Sequence, residues 1–434
     1  MLLSTAIPWL KLTPAEAAAR CRALPDMVFF DTALHTPRAM SLLAAQPSQI
    51  LTGHTEADWA ALRQEIATRQ TPDTSNIPPG FAAGWVDYDG AFCFGIYDKL
   101  LAYRHADATW ISIGGADIAW TALLATEDET GVSQTSAFSI GRLGTRGLES
   151  VSATPIPLHF TLSMPREDFL RIVERAQEYI AAGDIYQVNL SHRFTAPWPG
   201  GDPFTFYQTL RRCSPAPHAA YLSLNGRAIL SSSPELFLEI QGNHIRTRPI
   251  KGTRPRHTDP SADARSAKDL IASPKERAEL IMITDLERND LGRVCEFGSV
   301  TASELLKLEA FEQVFHLVST VEGRLRQDAD PVTALRACFP GGSITGAPKK
   351  RAMEIIAELE PEPRGLYTGA IGYFGFNGSA QFNIAIRTVV IENSLAHFHA
   401  GAGIVADSKP EMEWQETLDK ASGILLAAEN SGTA

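Results

Sequence analysis

Lys251 stands in the run PIKGTRPR (Pro249 to Arg256), behind a rigid proline and ahead of a glycine, where the backbone can be drawn close to a ligand. A lysine held away from bulk water at such a point can serve as a nucleophile or a base. In KPEMEWQETLDK (Lys409 to Lys420), Glu413, Glu416 and Lys420 recur at helical spacing and share one face. Such a face is ordinarily a solvated surface. Met412, Leu418 and Leu425 take other positions and are expected to meet the core. In SPKERAELIMITDLERND (Ser273 to Asp290), Glu279 lies among Ala278, Leu280 and Ile281, surroundings that set it apart from a surface acid. A carboxylate from each helix would suit Mg²⁺, which takes oxygen ligands, keeps waters and commonly binds a substrate anion as well. No histidine or cysteine pair has zinc-ligand spacing.

Two glycine-rich runs imitate nucleotide sites. GAGIVA (Gly401 to Ala406) fits G-x-G-x-x-A, but DSKPE follows it where a dinucleotide site needs an immediate helix. GGSITGAPKK (Gly341 to Lys350) spaces its glycines like a P-loop, yet Ala347-Pro348 stands where lysine and a hydroxyl are required. Pro348 does open a helix there, and exposed backbone N–H groups at such a start could hold a carboxylate.

The elements that must position these residues are readable in outline. Ala57 to Thr68 and Pro165 to Asp184 have helical periodicity, and Gly183 ends the second. Gly84 to Asp98 reads as strands around a turn, and Asn225-Gly226 as a hairpin. Ile185 to Phe194, His218 to Gly226, Arg227 to Ile240, Leu366 to Phe376, Ala380 to Glu392 and Leu395 to Val405 read as strand runs. Ser273, Pro274 and Glu276 spell a capping box, and a last helix is expected from Pro410 to Glu429. Glu127 to Pro157, rich in Ser, Thr and Gly, is expected to join a subdomain of residues 1–150 to a main region of 151–434. Strands in series with interspersed helices predict an α+β fold.

Composition narrows the partners. A net charge of -11 argues against general affinity for nucleic acid or an anionic membrane, so an anionic substrate would need a local cluster of Arg and Lys. Five scattered cysteines without C-x-x-C fit a reducing cytoplasm, and no apolar run reaches the ~20 residues of a spanning helix. The first residues lack a basic start and a long apolar core, so no signal peptide is expected.

The segments GDIYQVNLSHRF, SSSPELF, PIKGTRPR, ERAELIMITDLERNDLGRVC, FHLVST, FPGGSITGAPKKRAMEIIAELE, GAIGYFGF, AIRT and GAGIVADSKPEMEWQETLDK occur in this order across roughly Pro165 to Leu426. Together they resemble the chorismate-utilising enzymes; the first third is similar only through GWVDYDG and GIYD. The resemblance implies large antiparallel sheets packed together with helices outside, in α/β/β/α layers. Members that use water as nucleophile carry a lysine where this chain has Gln187. Anthranilate-forming members read PIAGT where this chain reads PIKGT, the form of the aminodeoxychorismate-forming members.

That resemblance implies amination of chorismate at carbon 4, on the 4-aminobenzoate and folate path, with anthranilate formation as the alternative. It implies Lys251 as nucleophile, Glu235 as general acid and His316 near the departing hydroxyl. Arg387 and Lys420 would pair with substrate carboxylates, and the backbone of Gly401, Ala402 and Gly403 would approach the same anion. Thr253 and Ser343 to Thr345 would add hydrogen bonds. Glu279 and Glu416 would hold Mg²⁺ with Glu413 beside them, and Asp285, Arg288, Asn289 and Asp290 would brace the metal helix. No cysteine here sits in a glutaminase-like elbow, and the resemblance implies a separate glutamine amidotransferase subunit that supplies the ammonia. Whether the N-terminal region binds tryptophan is left open.

Overall fold

The computed structural model describes residues 4–32, 40–71, 76–125, 157–311 and 313–431. Among these residues the strands form two antiparallel sheets. The first runs, in spatial order, Ser4–Ala6, Thr109–Ile113, Leu100–Arg104, Met40–Ala44, Val28–Asp31, His218–Leu224, Arg227–Ser233, Thr388–Glu392, Leu395–Ile404, Gln187–Pro197 and Gly346–Ala347, with Thr161–Leu162 also on Gln187–Pro197. The second runs Ile250–Pro255, Val314–Arg324, His244–Arg248, Leu236–Gln241, Ala380–Ile384, Ala370–Gly375, Phe81–Val86, Phe92–Tyr97 and Gln49–Gly53, with Thr301–Ala310 also on Val314–Arg324.

Alternation along the strands builds three apolar layers. Val28, Leu42 and Ile229 of the first sheet meet Phe81, Trp85 and Ile371 of the second in a central layer. Their neighbours Phe29, Leu43 and Leu230 face outward, under the helices Pro14–Cys21, Pro203–Cys213 and Pro410–Asn430. Phe94, Phe237 and Phe382 face the other way, under Glu56–Arg69 and Pro331–Cys338. The order is helix, sheet, sheet, helix, the α+β architecture the strand pattern predicts. The expected connection at Glu127–Pro157 lies outside the described residues apart from its last one. Strands from before it occur in both sheets, alongside strands from after it.

Two runs read from the sequence as single strands are each two. Arg227 to Ile240 breaks at Ser233-Pro234-Glu235, and Ala380 to Glu392 breaks at Ala385-Ile386-Arg387. In each case the halves belong to different sheets. Pro234 has no N–H to give a ladder, and Arg387 turns the chain with a φ of 49°. Apolar alternation continues through the break at Arg387, so periodicity alone cannot reveal that one. In the other run Ser231-Ser232-Ser233-Pro234-Glu235 interrupts the pattern, and the proline marks the break without showing the change of sheet. The crossings lie side by side: Ile384 N–H donates to the Glu235 carbonyl at 3.1 Å, Ser232 N–H to that of Arg387 at 3.1 Å, and Ser233 Oγ to that of Ile384 at 2.6 Å.

The hairpin at Asn225-Gly226 forms with both residues left-handed, φ 52° and 77°. The capping box at Ser273 is half made. Ser273 Oγ accepts the Glu276 N–H at 3.4 Å, but the Glu276 carboxylate turns away to Arg254, 3.5 Å distant. Met412, expected in the core, is 64% exposed. No helix of the described residues is long and apolar enough to cross a membrane.

Candidate active site

Where the two sheets exchange strands, a cleft of about 690 Å³ opens, a size suited to a small-molecule ligand. The crossings themselves supply Glu235 and Arg387 to its wall. The strand Ile250–Pro255 contributes Lys251 and Thr253, and its neighbour contributes His316, which lies opposite Thr253 in register. Gly252 bulges between them with φ 76°, and a Cβ there would stand 2.7 Å from Leu270 and 3.0 Å from Glu276.

One residue ties nucleophile and acid candidates together. Lys251 Nζ donates to the Ser343 carbonyl at 3.1 Å, and Ser343 Oγ donates to Glu235 Oε1 at 2.6 Å. Burial lifts the Glu235 carboxyl above the ordinary carboxylate range, against the pull of Ser343 and Lys251. A carboxyl so placed keeps its proton to higher pH than a free one, the direction a general acid requires. His316 Nδ1 lies 3.0 Å from Thr253 Oγ1. Burial, aided by the Arg387 charge, holds this imidazole down at about 4, so it is neutral at pH 7.

Arg387 makes no ion pair among the described residues. A guanidinium so enclosed is costly without an anion and lies ready for a carboxylate. Lys420 bridges the Gly401 carbonyl at 2.9 Å and Glu416 at 2.7 Å. Partial desolvation in the cleft pulls its ammonium down, but the Glu416 carboxylate outweighs this and raises it. The same pair leaves Glu416 below its ordinary value despite its own partial desolvation.

Gly401 and Gly403 face the cleft, while Ala402 between them points into the core. A Cβ on Gly403 would stand 2.5 Å from Gln187 Nε2 and 3.9 Å from Lys251 Nζ. Gln187 is buried there, with its Oε1 unpaired. Thr345 is set back from the cleft, its hydroxyl donating to the Gly341 carbonyl at 3.0 Å.

Glu279 and Glu416 line the cleft, and Glu413 lies behind them, 2% exposed. Glu279 Oε1 and Glu413 Oε2 are buried without a hydrogen-bond partner among the described residues. Lys275 Nζ approaches both carboxylates, at 3.9 Å and 3.3 Å. Among the described residues no three potential ligand groups are already drawn together. The set is nevertheless all oxygen, with unsatisfied atoms and a lysine ammonium supplying the positive charge that they need. It fits a hard dication such as Mg²⁺.

Sequence reasoning overlooked Lys275, Glu276, Asn189, Tyr367 and His399, all of which line the cleft. Glu276 precedes Glu279 by three residues on its helix, the same spacing used to pair Glu413 with Glu416, so it was findable. Tyr367 stacks on His399 with centroids 5.1 Å apart and planes 16° apart. It stands on a loop whose place only the fold reveals. Lys251, Arg254, Lys275, Arg387 and Lys420 give the local basic cluster that the acidic chain needs for an anionic substrate.

Anthranilate synthase component 1 of Streptomyces coelicolor is 49% identical over 276 residues, 63% of this chain and 54% of that protein. Aminodeoxychorismate synthase component 1 of Salmonella typhimurium is 50% identical over 268 residues, 62% of this chain and 59% of that one. The namesake of the latter in Bacillus subtilis is 41% identical over 341 residues, 78% and 71% of the two chains. The chain spans about half the length of several curated relatives that it matches. Anthranilate synthase component I from Streptococcus pneumoniae superposes with a TM-score of 0.75 at 30% identity, covering 90% of this chain and 93% of that one. The Escherichia coli isochorismate synthase MenF shares the fold, with a TM-score of 0.73 at 18% identity over 99% and 94% of the chains. The model of the chorismate binding enzymes matches residues 27–426, a span that takes in both crossings and the whole cleft wall, and the chain belongs to that family.

Proposed function

We propose that this chorismate-utilising enzyme aminates chorismate at carbon 4, giving 4-amino-4-deoxychorismate for the 4-aminobenzoate and folate path. Ammonia would come from a glutamine amidotransferase subunit, in the cytoplasm; relatives carrying the name component 1 support a partner. The observation that carries the reading is Lys251 in the cleft wall, joined through Ser343 to the buried acid Glu235.

Arg387 and Lys420 bind the two carboxylates of the substrate, with Gly401 and Gly403 allowing close approach. Glu279 and Glu416, with Glu413 behind them, would hold Mg²⁺, which supplies positive charge for the ring carboxylate. Lys251 Nζ attacks carbon 2, the ring double bonds shift, and the carbon-4 hydroxyl leaves as water with the Glu235 proton. Ammonia then adds at carbon 4, the double bonds shift back, and the lysine amine is expelled. Neutral His316 orients the departing hydroxyl without adding charge. Gln187, unlike a lysine, offers no base to activate water.

The second reading is anthranilate formation, favoured by the relatives of that name. Purified protein with chorismate, Mg²⁺ and excess ammonium separates the two, read by liquid chromatography with mass detection. Aminodeoxychorismate without anthranilate is the expected result; anthranilate with pyruvate overturns the proposal.

A further inference from the structure

Behind the cleft wall lies an ionisable cluster that the reaction above does not use. Glu287, 2% exposed, accepts the Gly342 N–H on Oε1 at 2.9 Å, and its Oε2 has no hydrogen-bond partner among the described residues. Lys349 Nζ holds the Asp290 carboxylate and the carbonyls of Cys338 and Pro340, the last two at 3.0 Å and 2.7 Å. Gly342 has no room for a side chain: a Cβ would meet Leu286 at 2.6 Å and Glu287 Oε1 at 3.1 Å. The loop Gly341 to Thr345 is therefore gripped from behind. Its front presents Ser343, whose hydroxyl holds Glu235 and whose carbonyl holds Lys251.

Stability does not account for this cluster. Buried charge clusters seldom repay their desolvation, and Lys349 lies in the first turn of its helix, the end where the dipole disfavours a cation.

We propose that Glu287 is a positioning residue: by fixing Gly342 it sets Ser343, and through Ser343 the acid Glu235 and the amine of Lys251. This rests on the reading of Glu235 as the acid. Burial, with Asp290 beside it and against Lys349, pushes the Glu287 carboxyl up to about 8. Asp290, Lys349 and Glu235 are the charged groups around it, with the Cys338 thiol alongside. As pH rises through that value Glu287 gains a negative charge, which holds the Glu235 proton more tightly and weakens the acid.

The test follows chorismate consumption, so it stands whichever amine is formed; failure of the amination reading shows in product identity alone. Glu287→Gln keeps an acceptor for Gly342, and Glu287→Leu removes it. The expected result is a kcat within about 3-fold of wild type for the Gln variant and at least about 10-fold lower for the Leu variant, with KM little changed. Glu287→Leu added to Ser343→Ala should cost less than the product of the two single losses, because both act on the Glu235 contact while the Ala variant keeps the carbonyl that holds Lys251. A folded Leu variant with wild-type kcat, or additive losses in the double variant, overturns the proposal. Should the Leu variant not fold, the Gln variant decides through its pH profile. Loss of a kcat inflection near pH 8 supports the assignment, and an unchanged profile overturns it.

Discussion

At the scale of single residues the cleft is an arrangement of proton and charge states. Burial raises the proton affinity of Glu235, His316 is held neutral, and Arg387 makes no ion pair among the described residues. Replacing Lys251 by Ala is expected to abolish the covalent substrate adduct in intact-protein mass spectra and to lower kcat by roughly 10²-fold or more. An adduct of wild-type mass on the variant would refute the nucleophile assignment. Glu235→Gln is expected to lower kcat by about 10²- to 10⁴-fold with little effect on KM. The pH dependence has a definite sign. Glu235 stays protonated above the ordinary carboxylate range, so activity that depends on it survives there and falls once pH passes its raised pKa. In Glu235→Gln that falling limb should vanish, leaving a slow rate that Glu235 no longer modulates; kcat measured across pH checks this.

Elements turn those residues into a site by crossing between sheets. Glu235 and Arg387 are both placed where a strand leaves one sheet for the other, so neither side chain is committed to a ladder or to the core. The strand Leu395–Ile404 does similar work with glycines: alternate positions bring bare backbone to the cleft and leave Ala402 to pack behind. Gly403→Ala is therefore a sharp test of the element. Its Cβ would fall 2.5 Å from Gln187 Nε2 and 3.9 Å from Lys251 Nζ, so the buried Gln187 side chain must shift beside the candidate nucleophile. The expected cost is about 1–3 kcal/mol of stability by urea unfolding, together with a reduced kcat. Unchanged unfolding and kinetics would mean that Gln187 has space this structure does not show.

The whole molecule brings two acidic helices, distant in sequence, to one end of the cleft. Glu279 and Glu413 keep buried oxygens without a hydrogen bond from the described residues there, with Lys275 between them. Mg²⁺ bound to the folded chain alone should raise the melting temperature, by mass action worth about 2.7 kcal/mol at a hundred times its Kd. Glu279→Gln should abolish that increment while leaving the melting temperature in EDTA close to wild type or higher, since burial already disfavours this carboxylate. A thermal scan with Mg²⁺ and with EDTA reads both, and a variant that keeps the full increment would remove Glu279 from the metal set.

Local chemistry fixed much of this protein in the sequence alone. Helix periodicity, the Asn225-Gly226 turn and the carboxylate spacing on the last helix depend on neighbours within a few residues, and each is readable there. So was the order of the motifs that resemble one family, and with it most of the cleft wall. Pro234, after three serines, marked a break in one run, while apolar alternation runs unbroken through Arg387 in the other; that either run changes sheets was not readable. Nor was the turning of Glu276 to Arg254, the exposure of Met412, the withdrawal of Thr345, or the arrival of Tyr367 over His399. Those outcomes depend on which distant segment lies opposite, and only the packing of two sheets across one cleft decides that.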